Sequence, residues 1–434
     1  MRLADIFNDH MVFQRNQKIC IFGYGTGTGN IEFLGETYNF TSKNNKFRVY
    51  LSPHSEGGPY EMKVTLNGIS QVIRDIMIGE VYIAAGQSNM EFILGKTSDI
   101  EYTTNNNIRF FTEPNDADIN GVHSFNSANW FICNNEEVND FSAIGYYFAV
   151  ELQKHIDVPI GIISCSKGAS RIDAWTTPEY VQSDNYQQMI KKKHPDYFTF
   201  KFNQNSWLYT NKLLKIVPFA NSGILWYQGE SNRCYDEGIH YKKLLEYLVD
   251  NWRTLWDYNI PFYCVQLMPF DEAPDKADWS IIRSQQELAS KTIPKLFLIT
   301  LFNTNEEQNI HPLNKKGISY ALSNAVRNIQ FNECIEYCGP ILEKFEKHDN
   351  YLILTFSHAE GLHFKYEKIH DTYFYDKTLK SPPTNYIIEG NTIKLFWDTN
   401  IQPTKLSMGY NNAPSHNLYN GSGYLASPFT LSLL

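Results

Sequence analysis

The sequence predicts an α/β protein: a parallel sheet with helices on both faces, with β-sandwich material contributed by the two ends of the chain. Three observations predict it. Short apolar runs in the middle of the chain have the length and content of buried parallel strands. Stretches with helical periodicity separate most of them. Both ends are rich in β-branched and aromatic residues and are punctuated by Gly, Pro and Asn. At 434 residues the chain is too long for one core of ordinary size. The expected division is a β-rich domain over 1–78, an α/β domain over 79–333 and a β-rich region over 334–434. That last region either stands alone or pairs with 1–78 in one sandwich.

In chain order, KICIFGYG, NIEFLG, KFRVYLSP and PYEMKVTLNG read as the first short strands. GYGTGTG at 23–29 lies among them with no following helix or lysine, so it is read as a turn and not a phosphate loop. The runs expected to build the parallel sheet are 80–85 (EVYIAA), 159–164 (PIGIIS), 222–227 (SGILWY), 261–267 (PFYCVQL) and 296–301 (LFLITL). Ile144, Phe148 and Leu152 repeat at helical spacing within 142–156. Tyr241, Leu244, Leu245, Leu248 and Trp252 form one apolar stripe within 237–256. Further helices are expected over 279–291 and, after Pro312, over 313–327. NYLILTFS, NTIKLFWD and TKLSMGYN return to short-strand texture.

A net charge of −9 and a pI near 5.8 argue against a nucleic-acid partner, which would call for a basic face. The seven cysteines are scattered without a C-x-x-C pair, which is neither a disulfide framework nor a zinc ribbon. No H-E-x-x-H or comparable spacing is present, so neither metal nor cofactor is expected. The opening MRLADIFNDHMVFQRNQKIC lacks the apolar run of a signal peptide, and no window approaches the length of a membrane span. A cytoplasmic location without membrane partners is the expectation.

Ligands of an open parallel sheet bind at the carboxyl ends of its strands. After the first expected strand comes GQSNME with Ser88; after the second, CSKGASRIDAW with Gly168; after the third, QGESN, residues 228–232; and after the last, NIHP with His311. This set suits acyl transfer. A serine hydroxyl needs a base to attack a carbonyl, and histidine is the usual one. The oxyanion needs aimed donors, for which the N–H groups of Ser88 and Gly168 and the Asn232 amide are placed in sequence. His311 needs an acid to hold its tautomer. Arg171 and Gln228 are candidates to touch substrate. For Arg171, Asp173 and Trp175, a sugar-binding rim and a local ion pair beside a buried indole are equally weighted readings. Glu91, next to the serine block, is read as orienting a loop.

Ser88, Gly168, Asn232 and His311, in this order after successive strands, resemble the four blocks of the SGNH hydrolase superfamily. More closely, GEVYIAAGQSNMEF, ILWYQGESN and IHPLNK resemble the sialate O-acetylesterase family of carbohydrate esterases. NDHMVFQRNQKICIFGYG is similar to that family's N-terminal β-domain, and NLYNGSGYLASPF to its ending. The resemblance implies an SGNH-like fold and a serine esterase that removes O-acetyl groups from a sugar through an acetyl-enzyme on Ser88, with no cofactor. O-acetylated sialic acid is the implied substrate; acetylated xylan fragments or other acetyl sugars are the alternatives. A catalytically weak carbohydrate-binding relative is the alternative from another class.

Two departures stand out. Gly168-Ala169-Ser170 replaces a common Gly-Gly-Thr. The position three before His311, where SGNH enzymes often place the triad aspartate, and the position two before it, where some relatives carry one, hold Gln308 and Asn309. The remaining acids are Glu230, Glu306 and Glu307, and the resemblance favours Glu230, giving Ser88, His311 and Glu230 as the working triad.

Overall fold

The strand Ile69–Gly86 organises the first part of the chain. Before Ile76 only Ile73 is buried, whereas every residue from Ile76 onward is buried. A strand with one wet face needs alternation, and one covered on both faces needs a continuous apolar run, which this segment supplies. The early half pairs antiparallel with Gly57–Leu66, with Leu66 opposite Ile69. Val12–Gln14 runs parallel to it at Met77–Gly79. The later half belongs to the parallel sheet. The sequence boundary at 78/79 therefore falls inside a single strand.

The computed structural model describes the whole chain except residues 99, 115–127, 184, 205, 273–277, 301–305 and 378. The described residues form two compact units, Met1–Ser231 with Lys243–Tyr263, and Asn232–Lys242 with Cys264–Leu434. In the first unit the sheet runs Trp130–Cys133, Asn105–Thr112, Ile160–Ser166, Ile69–Gly86, Gly223–Tyr227 and then the start of Phe262–Val265. The end of that last strand lies in the second unit, beside Leu296–Ile299. Ile160–Ser166 and Gly223–Tyr227 flank the long strand in parallel. All five expected central strands are present; the tail of the fifth, from Leu301, lies outside the described residues.

Asn105–Thr112 and the antiparallel edge Trp130–Cys133 are additional. NNNIRFFT opens on three asparagines, which are weak strand formers, so no strand is read there from sequence. Its buried half, Ile108–Phe111, is what secures it in the sheet.

The helices follow their expected faces. Ala143–Gln153 is N-capped by Ser142, whose hydroxyl accepts from the Gly145 N–H at 3.2 Å. Tyr241–Trp256 buries the stripe of Tyr241, Leu244, Leu245, Leu248 and Trp252. Trp279–Thr292 is N-capped by Asp278, which accepts from the Ile281 N–H at 3.0 Å. Lys316–Phe331 begins later than the expected 313. The reason is local: the Leu313 and Asn314 N–H groups donate to the Glu306 carboxylate at 2.8 and 3.2 Å, holding a loop where a helix start was expected.

At the N-terminal end, Arg2–Leu3, Ile19–Tyr24 and Lys46–Leu51 form one antiparallel sheet. Thr28–Phe33 pairs with Glu36–Thr41 and Gly57–Leu66. In the second unit, Ile341–Lys347, Tyr351–Ser357, Thr392–Phe396 and Asn385–Glu389 form one four-stranded sheet. Leu379–Ser381, Thr372–Asp376, Lys405–Met408 and Phe429–Ser432 form another. Leu352, Leu354, Ile393 and Leu395 of the former share a core with Phe374, Leu406, Met408 and Phe429 of the latter. The C-terminal strands thus make sheets and a sandwich core of their own.

Candidate active site

Gly86 sets the level at which the site is built. It is in register with Ser166 on one side and Tyr227 on the other, so three loops leave the sheet from one line. Strand order also reverses here: the chain places Asn105–Thr112 and Ile160–Ser166 to one side and Gly223–Tyr227 to the other. Such a switch point opens a crevice at the strand ends. Gly86 has φ of +138°, and a Cβ there would lie 2.1 Å from the Tyr227 carbonyl oxygen, so no larger residue fits. Backbone bonds then lock the loops together. The Gln87 N–H donates to Tyr227 O at 2.9 Å and the Lys167 N–H to Gly86 O at 3.0 Å.

Ser88 begins the one-turn helix Ser88–Glu91 and is half-buried. Its neighbours act as struts. The Gln87 Oε1 atom accepts from Gln228 Nε2 at 3.1 Å, from the Gly229 N–H at 3.3 Å and from the Ser231 N–H at 3.2 Å. The Asn89 amide donates to Glu230 Oε1 at 2.7 Å, and both side chains are buried. The GQSN and QGES loops are thereby bound through side chains on both sides of the serine. Sequence reasoning left Gln87 and Asn89 without roles, although they stand inside the motif that singled out Ser88.

The Gly168 loop lies against the serine. A Cβ built on Gly168 would sit 3.6 Å from the Ser88 Cβ and 2.9 Å from Glu91 Oε2. The Gly168 N–H, expected to serve an oxyanion, donates here to that Glu91 carboxylate at 2.5 Å. Glu91 does orient a loop, and the loop is this one. Ala169 takes a left-handed φ of 58°. For a residue with a Cβ this costs ~1 kcal/mol. Asn203 steadies the turn: its Nδ2 donates to Ala169 O at 3.0 Å and its Oδ1 accepts from the Arg171 N–H at 2.9 Å.

The two candidate substrate contacts take other duties. Arg171 is only 1% exposed. Its Nε and one terminal nitrogen donate to the two Asp173 oxygens at 3.3 and 3.1 Å, the other donates to Ser231 O at 3.2 Å, and the Phe198 ring lies 4.7 Å from the guanidinium carbon. Trp175 is fully buried, with Nε1 donating to Ser170 Oγ at 3.1 Å. The ion pair beside a buried indole is therefore what forms. Separating that pair to serve a ligand would leave a buried Asp173 charge uncompensated, at a cost of several kcal/mol. Gln228 is fully buried, and its amide nitrogen donates to Gln87 Oε1 and to Ser170 O, both at 3.1 Å. It ties the second and third loops together where a substrate contact was expected.

Asn232 and His311 belong to the second unit. Asn232 is fully buried, and its amide donates to the equally buried Glu237 at 2.5 Å, which fixes the direction of the NH2 group. His311 is partly buried, and its backbone N–H donates to Asn309 Oδ1 at 3.0 Å. Burial, and then the nearby Lys315 ammonium, hold the imidazole below its ordinary pKa. Of the acids near it in sequence, Glu306 carries the Leu313 and Asn314 N–H groups. The Gln308 amide donates to Asp271 at 2.7 Å. Among the described residues no group of three or more His, Cys, Asp or Glu could hold a metal ion. No helix among them is long and apolar enough to cross a membrane.

The fold has a close counterpart among solved structures. A crystal structure of a carbohydrate acetylesterase from Xanthomonas citri matches 100% of this chain and 99% of its own with a TM-score of 0.88, at 24% identity. At that identity the likeness establishes the architecture. Sialate O-acetylesterase of Pongo abelii is 24% identical over 406 residues, spanning 82% of this chain and 76% of that protein. The Homo sapiens sialate O-acetylesterase is 23% identical over the same spans. The family model described as carbohydrate esterase, sialic acid-specific acetylesterase matches residues 78–319, beginning in the buried half of the long strand.

Fold and sequence together define an ester hydrolase that deacetylates carbohydrate. The chain belongs to the family of carbohydrate esterases described as sialic acid-specific acetylesterases.

Proposed function

We propose that the chain removes O-acetyl groups from sialic acid by SGNH-type serine catalysis, with Ser88 as nucleophile, His311 as base and Glu230 as the acid behind it. The observation that carries this reading is the arrangement around Gly86, where the Ser88, Gly168 and Glu230 loops leave one sheet edge and bind one another. Ser88 Oγ attacks the acetyl carbonyl carbon while His311 takes its proton. The C–O bond to the sugar then breaks, and His311 returns the proton to the departing sugar oxygen. Water, deprotonated by the same imidazole, attacks the acetyl-serine, and acetate leaves with Ser88 restored. The Ser88 and Gly168 N–H groups and the Asn232 amide stabilise the oxyanion of both tetrahedral intermediates. For Gly168 this means that its N–H passes from the Glu91 carboxylate to the oxyanion, since one N–H cannot serve both fully.

The working form of the base is the neutral imidazole. The rate constant kcat/KM therefore falls as pH drops through the His311 pKa. Because burial and Lys315 lower that pKa, the acid limb lies at lower pH than an ordinary histidine gives. Replacing Lys315 by methionine removes the like charge and moves the limb upward. A pH–rate profile of the two proteins checks the assignment; a limb that stays in place when Lys315 is replaced contradicts it.

The substrate is tested by acetate release from O-acetylated sialic acid and from acetylated xylo-oligosaccharides at matched concentration. The expected result is a kcat/KM about tenfold or more in favour of the sialic acid. Preference for the xylo-oligosaccharide overturns the choice of sugar and leaves the serine chemistry standing.

A further inference from the structure

We infer that Lys167 and Phe200 form the sugar subsite of this enzyme, with the Lys167 ammonium pairing with a carboxylate on the substrate. This rests on the proposed reading of Ser88 and Gly168 as the reacting loop pair. A carboxylate-bearing sugar held at Ser88 needs a cation near the Gly168 loop. Arg171 does not supply it, because its guanidinium is buried against Asp173. Glu91, on the Gly168 amide, has the wrong sign.

Lys167 directly precedes Gly168, and its position is fixed by the bond from its N–H to Gly86 O at 3.0 Å. Its side chain is partly exposed, and its Nζ lies 5.2 Å from the centre of the Phe202 ring. Among the described residues that ammonium forms no ion pair. A lysine parked on an aromatic face is held by about 1 kcal/mol, little enough for a carboxylate to draw it away.

The aromatic part of the subsite is built on the same stretch. Phe200 is 42% exposed and stacks on buried Phe202, with ring centres 5.1 Å apart and planes 8° apart. The following residue, Asn203, is bonded to both Ala169 and Arg171, so the phenylalanine pair is fastened to the loop that carries Gly168. An exposed ring backed by a second ring is a rigid platform, at low entropic cost, for the C–H face of a sugar. Charge and platform together suit a carboxylated sugar and distinguish it from a neutral one.

The test measures kcat and KM of the full-length chain on O-acetylated sialic acid, on acetylated xylo-oligosaccharide and on 4-nitrophenyl acetate. The proteins are the wild type, Lys167→Met, Lys167→Arg, Phe200→Ala and Ser88→Ala. Lys167→Met is expected to raise KM for the sialic acid about tenfold with kcat little changed, and Lys167→Arg to restore most of it. Neither change should alter hydrolysis of 4-nitrophenyl acetate. Phe200→Ala is expected to raise KM for both sugars and to leave the aryl ester unaffected. An unchanged KM for the sialic acid in Lys167→Met overturns the inference. So does an equal loss on all three esters, or a wild type that hydrolyses only the neutral sugar. Activity surviving in Ser88→Ala would instead overturn the reading of the site on which the inference rests.

Discussion

Replacement of Ser88 by alanine is expected to lower kcat on acetyl esters by on the order of 10⁴-fold or more while the chain stays folded. The size follows from the role. Without the hydroxyl no acetyl-enzyme forms, and His311, Glu230 and the oxyanion donors lose the group on which they act together. The fold has little at stake. Ser88 is half-buried in a one-turn helix whose supports, the Gln87 and Asn89 side chains, remain in place. The change in stability should be about 1 kcal/mol or less. Steady-state assays and thermal melts of both proteins check the two halves of the statement. Equal rates in wild type and mutant would mean that hydrolysis does not pass through this serine.

Glu230→Gln should be the next most damaging change, with kcat reduced by about 10²- to 10⁴-fold. Glutamine keeps the shape, and its side-chain oxygen can still accept from the Asn89 amide, the bond that Glu230 makes at 2.7 Å. What it lacks is the negative charge that stabilises the imidazolium formed when His311 takes a proton. A fall in kcat at unchanged melting temperature therefore isolates the electrostatic role. Near-normal turnover would move that role to Glu306 or Glu307. The structure already occupies Glu306 with two backbone N–H groups of the loop before Lys316–Phe331. Its replacement should show in the stability of that loop as well as in rate.

What the sequence disclosed and what it hid divide along physical lines. Buried parallel strands are continuous apolar runs, so the segment ending at Gly86 and its neighbours at Ile160–Ser166 and Gly223–Tyr227 were legible. Asn105–Thr112 was not, because its polar start masks the four buried residues that hold it in the sheet. The meeting of the Ser88, Gly168 and Glu230 loops was legible because each follows an apolar run that ends at one level of the sheet. The direction in which a side chain turns was not. Arg171 and Asp173, two positions apart, read equally well as a rim or as a closed pair, and only burial separates the two. Gln228, offered as a substrate contact, faces inward to Gln87 and Ser170. Lys167 carried no signal, since its ring partner, Phe202, comes from a later stretch of the chain that Asn203 fastens to the Gly168 loop.

The central claim is that an acetyl group passes through Ser88. With 4-nitrophenyl acetate the leaving group is good, so acylation outruns deacylation and the covalent intermediate accumulates. Acid quenching in the first turnover, followed by peptide mass spectrometry, should find one acetyl group on the peptide containing Ser88, and none on that peptide in Ser88→Ala. An acetyl group on a different residue, or a full burst of 4-nitrophenol with no acetylated peptide, would contradict it.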